Sequence, residues 1–267
     1  MFDLRVLNAR NPGPMTGSGN NTYLIVGADG AALVDAGVGH PDHLHELDEA
    51  LRERGAKLRH VLVTHGHADH ASGAPELARA NPDAAFAKHP WPEEDRKYQV
   101  PWTLLGEGQQ VAIGDDRLIV LHTPGHSPDH LTFWHEATRT AFTGDLVVLG
   151  SSVMIHTSRG GSLRRYLESL ARLRALGARR LLPAHGDEIT DPHAVLTAYL
   201  EHRHMRERQV IDALQRGRTT VQAIAESIYD GLDARLLPAA RENVRAHLEK
   251  LREEGRAVEA DNRWRLL

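Results

Sequence analysis

Hydrophobic and polar positions along the first part of the chain switch repeatedly between two periods. The runs "TYLIVG" (22–27), "AALVDAG" (31–37), "RHVLVTHG" (59–66), "DRLIVLHTPG" (116–125), "TAFTGDLVV" (140–148) and "RRLLPAHG" (179–186) are short, rich in Leu, Val and Ile, and bounded by glycine or proline, which predicts strands. Between them, "HLHELDEALRERG" (43–55) and "SLRRYLESLARLRALG" (162–177) carry apolar residues at helical spacing. In the second, Leu163, Leu167, Leu170 and Leu173 form one stripe and Gly177 ends it. Strands alternating with helices predict an α/β layered domain.

Beyond about Asp191 the strand pattern disappears. "AVLTAYLEHRHMRERQVIDALQRG" (194–217) reads as one long helix, "TTVQAIAESIY" (219–229) as a second opened by a capping threonine, and "LPAARENVRAHLEKLREEG" (237–255) as a third stopped by Gly255. "AVEADNRWRLL" (257–267) reads as a hairpin turning at Asp261 and Asn262. Three helices and a terminal hairpin make a small, mainly helical winged-helix unit. The chain therefore divides into residues 1–191, carrying the α/β layers, and residues 192–267.

Composition narrows the chemistry. There is no cysteine, so there is no disulfide framework and no thiolate metal site; any metal must sit on histidine and carboxylate. Lys and Arg number 32 against 36 Asp and Glu, a formal net charge of -4, so no global positive field marks a polyanionic partner. The opening "MFDLRVLNARNPGPMTGSG" has neither the apolar core of a signal peptide nor the character of a transit peptide, and no run reaches membrane-spanning length. A cytoplasmic protein with no membrane partner is expected.

The sharpest feature is "LVTHGHADHASG", which puts His65, His67, Asp69 and His70 within six positions at the end of an apolar run. Side chains at 65 and 67 can face one point where a strand turns into a loop, and Asp69 and His70 a second point nearby, a spacing that suits two metals. The placement recurs: His126 follows "LIVLHTPG", Asp145 closes "TAFTGD" and His185 closes "RLLPAHG", each next to a glycine.

In this order "LVDAG" at Asp35, "THGHADH" at 65–70, "TPGH" at His126, "GD" at Asp145 and "PAHG" at His185 resemble the motifs of the metallo-β-lactamase superfamily. The resemblance implies an αββα sandwich with its ligand loops at one edge of the sheets. It further implies that His65, His67 and His126 hold one metal and Asp69, His70 and His185 a second, with Asp145 bridging. Two zinc ions per chain are the expected cofactors, with manganese or iron as substitutes. A water held by such ions ionises at about pH 7, which makes the reaction class hydrolysis by a metal-held hydroxide.

Around this set, Asp35 is expected to support a ligand histidine from behind, with capping of the next turn as the alternative. His130, four residues past His126, is a candidate catalytic residue beside Asp69 and Asp145, either as proton donor or as support; a buried structural role competes with these. Ser151, Ser152 and His156, just after Asp145, are the candidate substrate contacts. Trp91, Tyr98 and Trp102 mark either a pocket rim or a plain surface loop. His40, His43, His45, His202 and His204 read as solvated.

Across nearly its whole length the chain is similar to the β-lactamase-like endoribonuclease subfamily, through "NPGPMTGSGNNTYLIVG", "TPGHSPDHL", "YLEHRHMRERQVIDAL" and the winged-helix tail. That subfamily is in turn similar to thioesterases acting on acyl carriers. The acidic balance favours a thioester or ester of a small acyl substrate. Cleavage of single-stranded RNA is the alternative and β-lactam hydrolysis a weaker one; a homodimer also fits. A non-catalytic module would be expected to have lost ligands, and none is missing.

Overall fold

The computed structural model describes residues 3–267. The chain forms two compact units. The first runs to Thr123 and adds Asp129–Ser151 and Gly177–Pro192; the second comprises Pro124–Pro128, Ser152–Leu176 and His193–Leu267.

The first unit contains two sheets. One has six strands in the order β1 (Asp3–Asn8), β2 (Asn21–Gly27), β3 (Gly30–Val34), β4 (Leu58–Leu62), β5 (Ala85–Lys88) and β6 (Trp102–Leu104). Its first three strands pair antiparallel and its last four parallel. Five further strands are β7 (Gln110–Ile113), β8 (Asp116–His122), β9 (Leu131–His135), β10 (Thr140–Gly144) and β11 (Arg180–Pro183), adjacent in that order. They pair antiparallel except for the parallel β10 and β11. Helices α1 (Pro41–Glu53), α2 (Ala68–Ala71), α3 (Ala74–Ala80) and α4 (Pro92–Asp95) fill the connections of the first sheet.

Alternation along buried strands builds two cores at once. On β3, Ala31 and Leu33 join Leu24, Val61 and Phe86 against Leu47, Ala50 and Leu51 of α1. Ala32 and Val34 point the other way, into a core shared with Ile25, Leu62, Val120, Phe133 and Phe142 between the sheets. The predicted strands and helices are all present. β9 is the apolar run just past His130, while the sequence reading missed β1, β5, β6 and β7, whose runs are short or mixed in polarity, and the one- or two-turn helices α2, α3 and α4.

The second unit holds α5 (Leu163–Ala175), α6 (Pro192–Gln215), α7 (Val221–Ile228), α8 (Leu237–Glu253) and the hairpin of β12 (Ala257–Ala260) with β13 (Arg263–Leu266). The hairpin turns on Asp261 and Asn262, both with left-handed φ (51° and 61°), as a two-residue turn between twisted strands requires. Trp264 is buried among Val210, Ile224, Val244, Leu248 and Leu251, and α5 packs against α8. Arg203 of α6 is buried and donates to the Val153 carbonyl and to Asn243 Oδ1 (2.8 Å). No helix among the described residues is long and apolar enough to cross a membrane.

One expectation fails in α1. His43 is not solvated but fully buried, with Nε2 2.8 Å from Thr22 Oγ1. Helical spacing puts it on the stripe of Leu47, Ala50 and Leu51. Burial pushes its pKa down to about 4, against the smaller opposing pull of Glu46. Between pH 6.5 and 4 the unfolded chain takes up a proton that the folded chain refuses, so His43 contributes stability above pH 6.5 that is lost as pH falls through this window. The unfolding free energy of the wild type should therefore fall more between pH 7 and pH 4 than that of His43→Leu, by up to ~3 kcal/mol. Equal acid losses in denaturant titrations of the two proteins would contradict this.

Candidate metal centre

The site grows out of parallel strand ends. Because β3 and β4 are parallel, their C-terminal ends lie side by side, and Asp35 N donates to the Leu62 carbonyl (2.9 Å). Asp35 adopts a left-handed φ of 64°, tolerable for Asp when local bonds hold it. Its carboxylate supplies them: Oδ1 accepts from Thr64 N (2.8 Å) and Thr64 Oγ1 (2.9 Å), and Oδ2 lies 2.8 Å from His70 Nδ1. With Nδ1–H donated to Asp35, Nε2 is the His70 nitrogen directed at the rest of the cluster.

Around His70 Nε2 gather Asp69 Oδ2 (3.5 Å) and Asp145 Oδ1 (3.4 Å). His185 Nε2 lies 3.5 Å from the same Asp69 oxygen and 3.1 Å from the same Asp145 oxygen. On the neighbouring loop His65 Nε2 and His67 Nδ1 are 2.9 Å apart. Two triplets, His65–His70–Asp145 and Asp69–His70–His185, each present ligand atoms within 4.8 Å of one another. Of the residues predicted as ligands, the first unit thus brings together His65, His67, Asp69, His70, Asp145 and His185.

His126 sits in the Pro124–Pro128 turn assigned to the second unit, and its Nδ1 lies 2.9 Å from the Met154 carbonyl, which places the proton on that nitrogen. Ser151 and Ser152 are exposed. His156 is half-buried, with Nδ1 3.8 Å from Glu242.

Electrostatics tests whether these donors fit a metal. Burial alone would lower the pKa of His70, yet the charges of Asp69, Asp35 and Asp145 outweigh it and raise the group well above its ordinary value. Burial likewise lowers His185, but hydrogen bonds to Asp145 and Asp69 lift it to about 9. Asp69 is held far below the usual carboxylate range: burial opposes ionisation, and His70 and His185 overcome it. The carboxylates therefore draw positive charge onto buried imidazoles, and nitrogen and oxygen donors converging in this way fit a divalent cation.

Beyond Asp35 and His130, sequence reasoning missed the residues that orient this set. Fully buried Asn20 donates to Asp69 Oδ2 (3.1 Å) and is itself fixed by Asn11, whose Nδ2 donates to Asn20 Oδ1 (2.9 Å). Asn21 Nδ2 donates to the carbonyls of Pro183 (3.1 Å) and Gly186 (2.8 Å), and Tyr23 Oη to that of Pro183 (2.6 Å), which pins the loop bearing His185. The only outward signal was a polar pair opening an apolar strand, "NNTYLIVG".

His130 is fully buried. Its Nε2 accepts from Asp145 N (3.1 Å), and its Nδ1, carrying the proton, lies 2.9 Å from Thr123 Oγ1. Both ring nitrogens are engaged, so it holds the backbone under Asp145. Gly144 is obligatory there: φ is 47°, and a Cβ would come within 2.8 Å of Thr64 and 2.9 Å of His130 Nε2.

Two sheets whose loops gather histidines and aspartates at the strand ends define a sandwich enzyme with a metal-binding type of centre. The chain belongs to the metallo-β-lactamase superfamily, whose model matches residues 15–185, and a β-lactamase-associated winged-helix model matches residues 220–264. It is a hydrolase of that αββα fold with a C-terminal helical winged-helix domain. An atrochrysone carboxyl ACP thioesterase from Cryptosporiopsis sp. is 32% identical over 96% of this chain and 81% of its own length. A metallo-β-lactamase family protein from Thermus thermophilus superposes with a TM-score of 0.79 at 24% identity, covering 99% of this chain and 98% of its own. A further structure, solved in a di-iron-bound form, is 29% identical with a TM-score of 0.56, covering 72% of this chain and 95% of its own.

The Asp35–His70 contact generates a direct expectation. Asp35→Ala should weaken metal binding roughly 10- to 100-fold, the usual scale for losing an outer-shell partner, while the protein stays folded. Chelator competition monitored with circular dichroism checks this; unchanged affinity in a folded variant contradicts the role.

Proposed function

We propose that this chain is a metal-dependent thioester hydrolase acting on a small acyl group, with two ions at its centre. His65, His67 and His126 would hold one ion, Asp69, His70 and His185 the other, and Asp145 would bridge them. The observation that carries the reading is the buried meeting of Asp35, Asp69 and Asp145 on His70, which a cation relieves. The thioester assignment is supported by the relative named as an acyl-carrier thioesterase, which matches nearly the whole chain.

When bound, the ions supply a water ionised near neutrality and a Lewis acid for the carbonyl. Zinc suits the nitrogen and oxygen donors, and iron is a substitute in view of the di-iron relative. The chain's own residues do the orienting. Asp35 fixes the His70 tautomer, Asn20 turns Asp69, and His130 holds the backbone that carries Asp145. In this reading His130 acts as a positioning residue through that contact.

Hydrolysis of an acyl-carrier thioester, a single-stranded RNA and a chromogenic β-lactam should be compared with one zinc-loaded preparation. Thioester turnover should dominate; RNA cleavage without thioester turnover would overturn the substrate class. Asp145→Asn keeps the side-chain shape and removes the bridging charge. It should lower thioester turnover by orders of magnitude and reduce bound metal from about two ions per chain to about one. Near-normal turnover in that variant would refute the bridging role.

A further inference from the structure

Behind the His65–Gly66–His67 turn lies a charge network to which the chemistry above gives no task. Lys88, at the end of β5, is 0% exposed. Its ammonium is 3.0 Å from Asp129 Oδ2, pairs with Asp95 Oδ1 and donates to the His89 carbonyl (2.7 Å), so all three of its protons have acceptors. Asp129 is also 0% exposed, and the Oδ2 that meets Lys88 accepts from Gly66 N (2.8 Å). The Gly66 carbonyl accepts from Tyr98 Oη (3.2 Å). Asp95 Oδ2 in turn accepts from Trp91 N (2.8 Å), and the Trp91 ring lies 6.0 Å from that of His67.

Burying an ammonium and a carboxylate costs several kcal/mol per ion before pairing, and a packed apolar pair would often serve stability as well or better. The arrangement makes physical sense through what it grips. The two peptide planes flanking Gly66 set the directions in which His65 and His67 leave the backbone, and both are held, one by Asp129 and one by Tyr98. Gly66 is also boxed in: a Cβ there would meet Glu94 Cβ at 3.0 Å and Asp129 Oδ2 at 3.3 Å.

We propose that Lys88, Asp95 and Asp129 form a positioning network that fixes the His65–His67 pair for metal through Gly66, with Tyr98 as its second grip. Lys88 acts by orienting Asp129 and Asp129 by orienting the peptide. The inference rests on the reading of His65 and His67 as metal ligands, but its structural half, a clamped Gly66, stands without metal.

The test uses Lys88→Met, Asp129→Ala, Asp129→Asn and Tyr98→Phe in the full chain, with circular dichroism to select folded variants. In metal-free protein, amide hydrogen exchange at residues 65–67 should accelerate in Asp129→Ala, less in Asp129→Asn, whose amide oxygen can still accept from Gly66, while the amides of β8 and β9 stay protected. Competition between zinc and a chelator should show roughly 10- to 100-fold weaker binding in Lys88→Met and Asp129→Ala. Tyr98→Phe, which keeps the ring and loses one hydroxyl, should bind zinc several-fold more weakly and shift the visible spectrum of the cobalt-substituted protein. Wild-type exchange at Gly66 in folded Asp129→Ala, or wild-type zinc affinity and cobalt spectrum in both Asp129→Ala and Tyr98→Phe, would overturn the proposal. If the wild type itself takes up no zinc, the metal reading fails, and the exchange comparison alone decides whether Gly66 is clamped.

Discussion

Three carboxylates meet one buried imidazole, and most of the first unit is arranged to allow it. Asp35 and Asp145 arrive from two strand ends and Asp69 from the short helix α2 that carries His70 itself, yet each directs charge at His70, which is 0% exposed. Such a gathering is unfavourable in a low-dielectric interior unless positive charge is supplied. Parallel pairing of β3 with β4 puts Asp35 beside Thr64, and parallel pairing of β10 with β11 does the same for Asp145 and His185. The sheets bring like charges together, and the resulting cluster is one that could hold a cation.

Support for this arrangement comes in graded layers. Asp35 and Asn20 touch the proposed ligands themselves, His130 touches the backbone beneath one, and Asn21 with Tyr23 ties down the loop that carries another. Nearly all of these contacts join segments far apart in sequence. Their cost is visible in the left-handed backbone of Asp35 and in Gly144, where no side chain fits. Strain of this kind persists only where surrounding bonds over-determine the geometry.

Much of this was legible in the sequence, because in parallel sheets an apolar run ends where a loop begins, and polar residues at such ends stand out. The strands bearing Asp35, His65, Asp145 and His185 were readable for that reason, as was the terminal hairpin from its Asp-Asn turn. What was not legible depends on long-range packing. His43 looked like one more polar position on a charged helix, although its spacing from Leu47, Ala50 and Leu51 already placed it on the buried stripe. Lys88 ends a four-residue strand, and nothing in the sequence marks it as buried; besides the nearby Asp95 it meets Asp129, which only the β8–β9 connection brings to it. Asn20 gave no chemical signal of its own, since an asparagine opening a strand is ordinary until its neighbour in space is known.

The central claim is that the His/Asp cluster is a two-ion centre. Anomalous diffraction, collected at the zinc and iron absorption edges from crystals of protein purified without chelator, tests it most directly. The account predicts a pair of anomalous peaks, one bounded by Asp69, His70 and His185 and the other by His65 and His67, with Asp145 between them. Crystals grown in excess zinc that keep these side chains in place and give no peak at either position would contradict it.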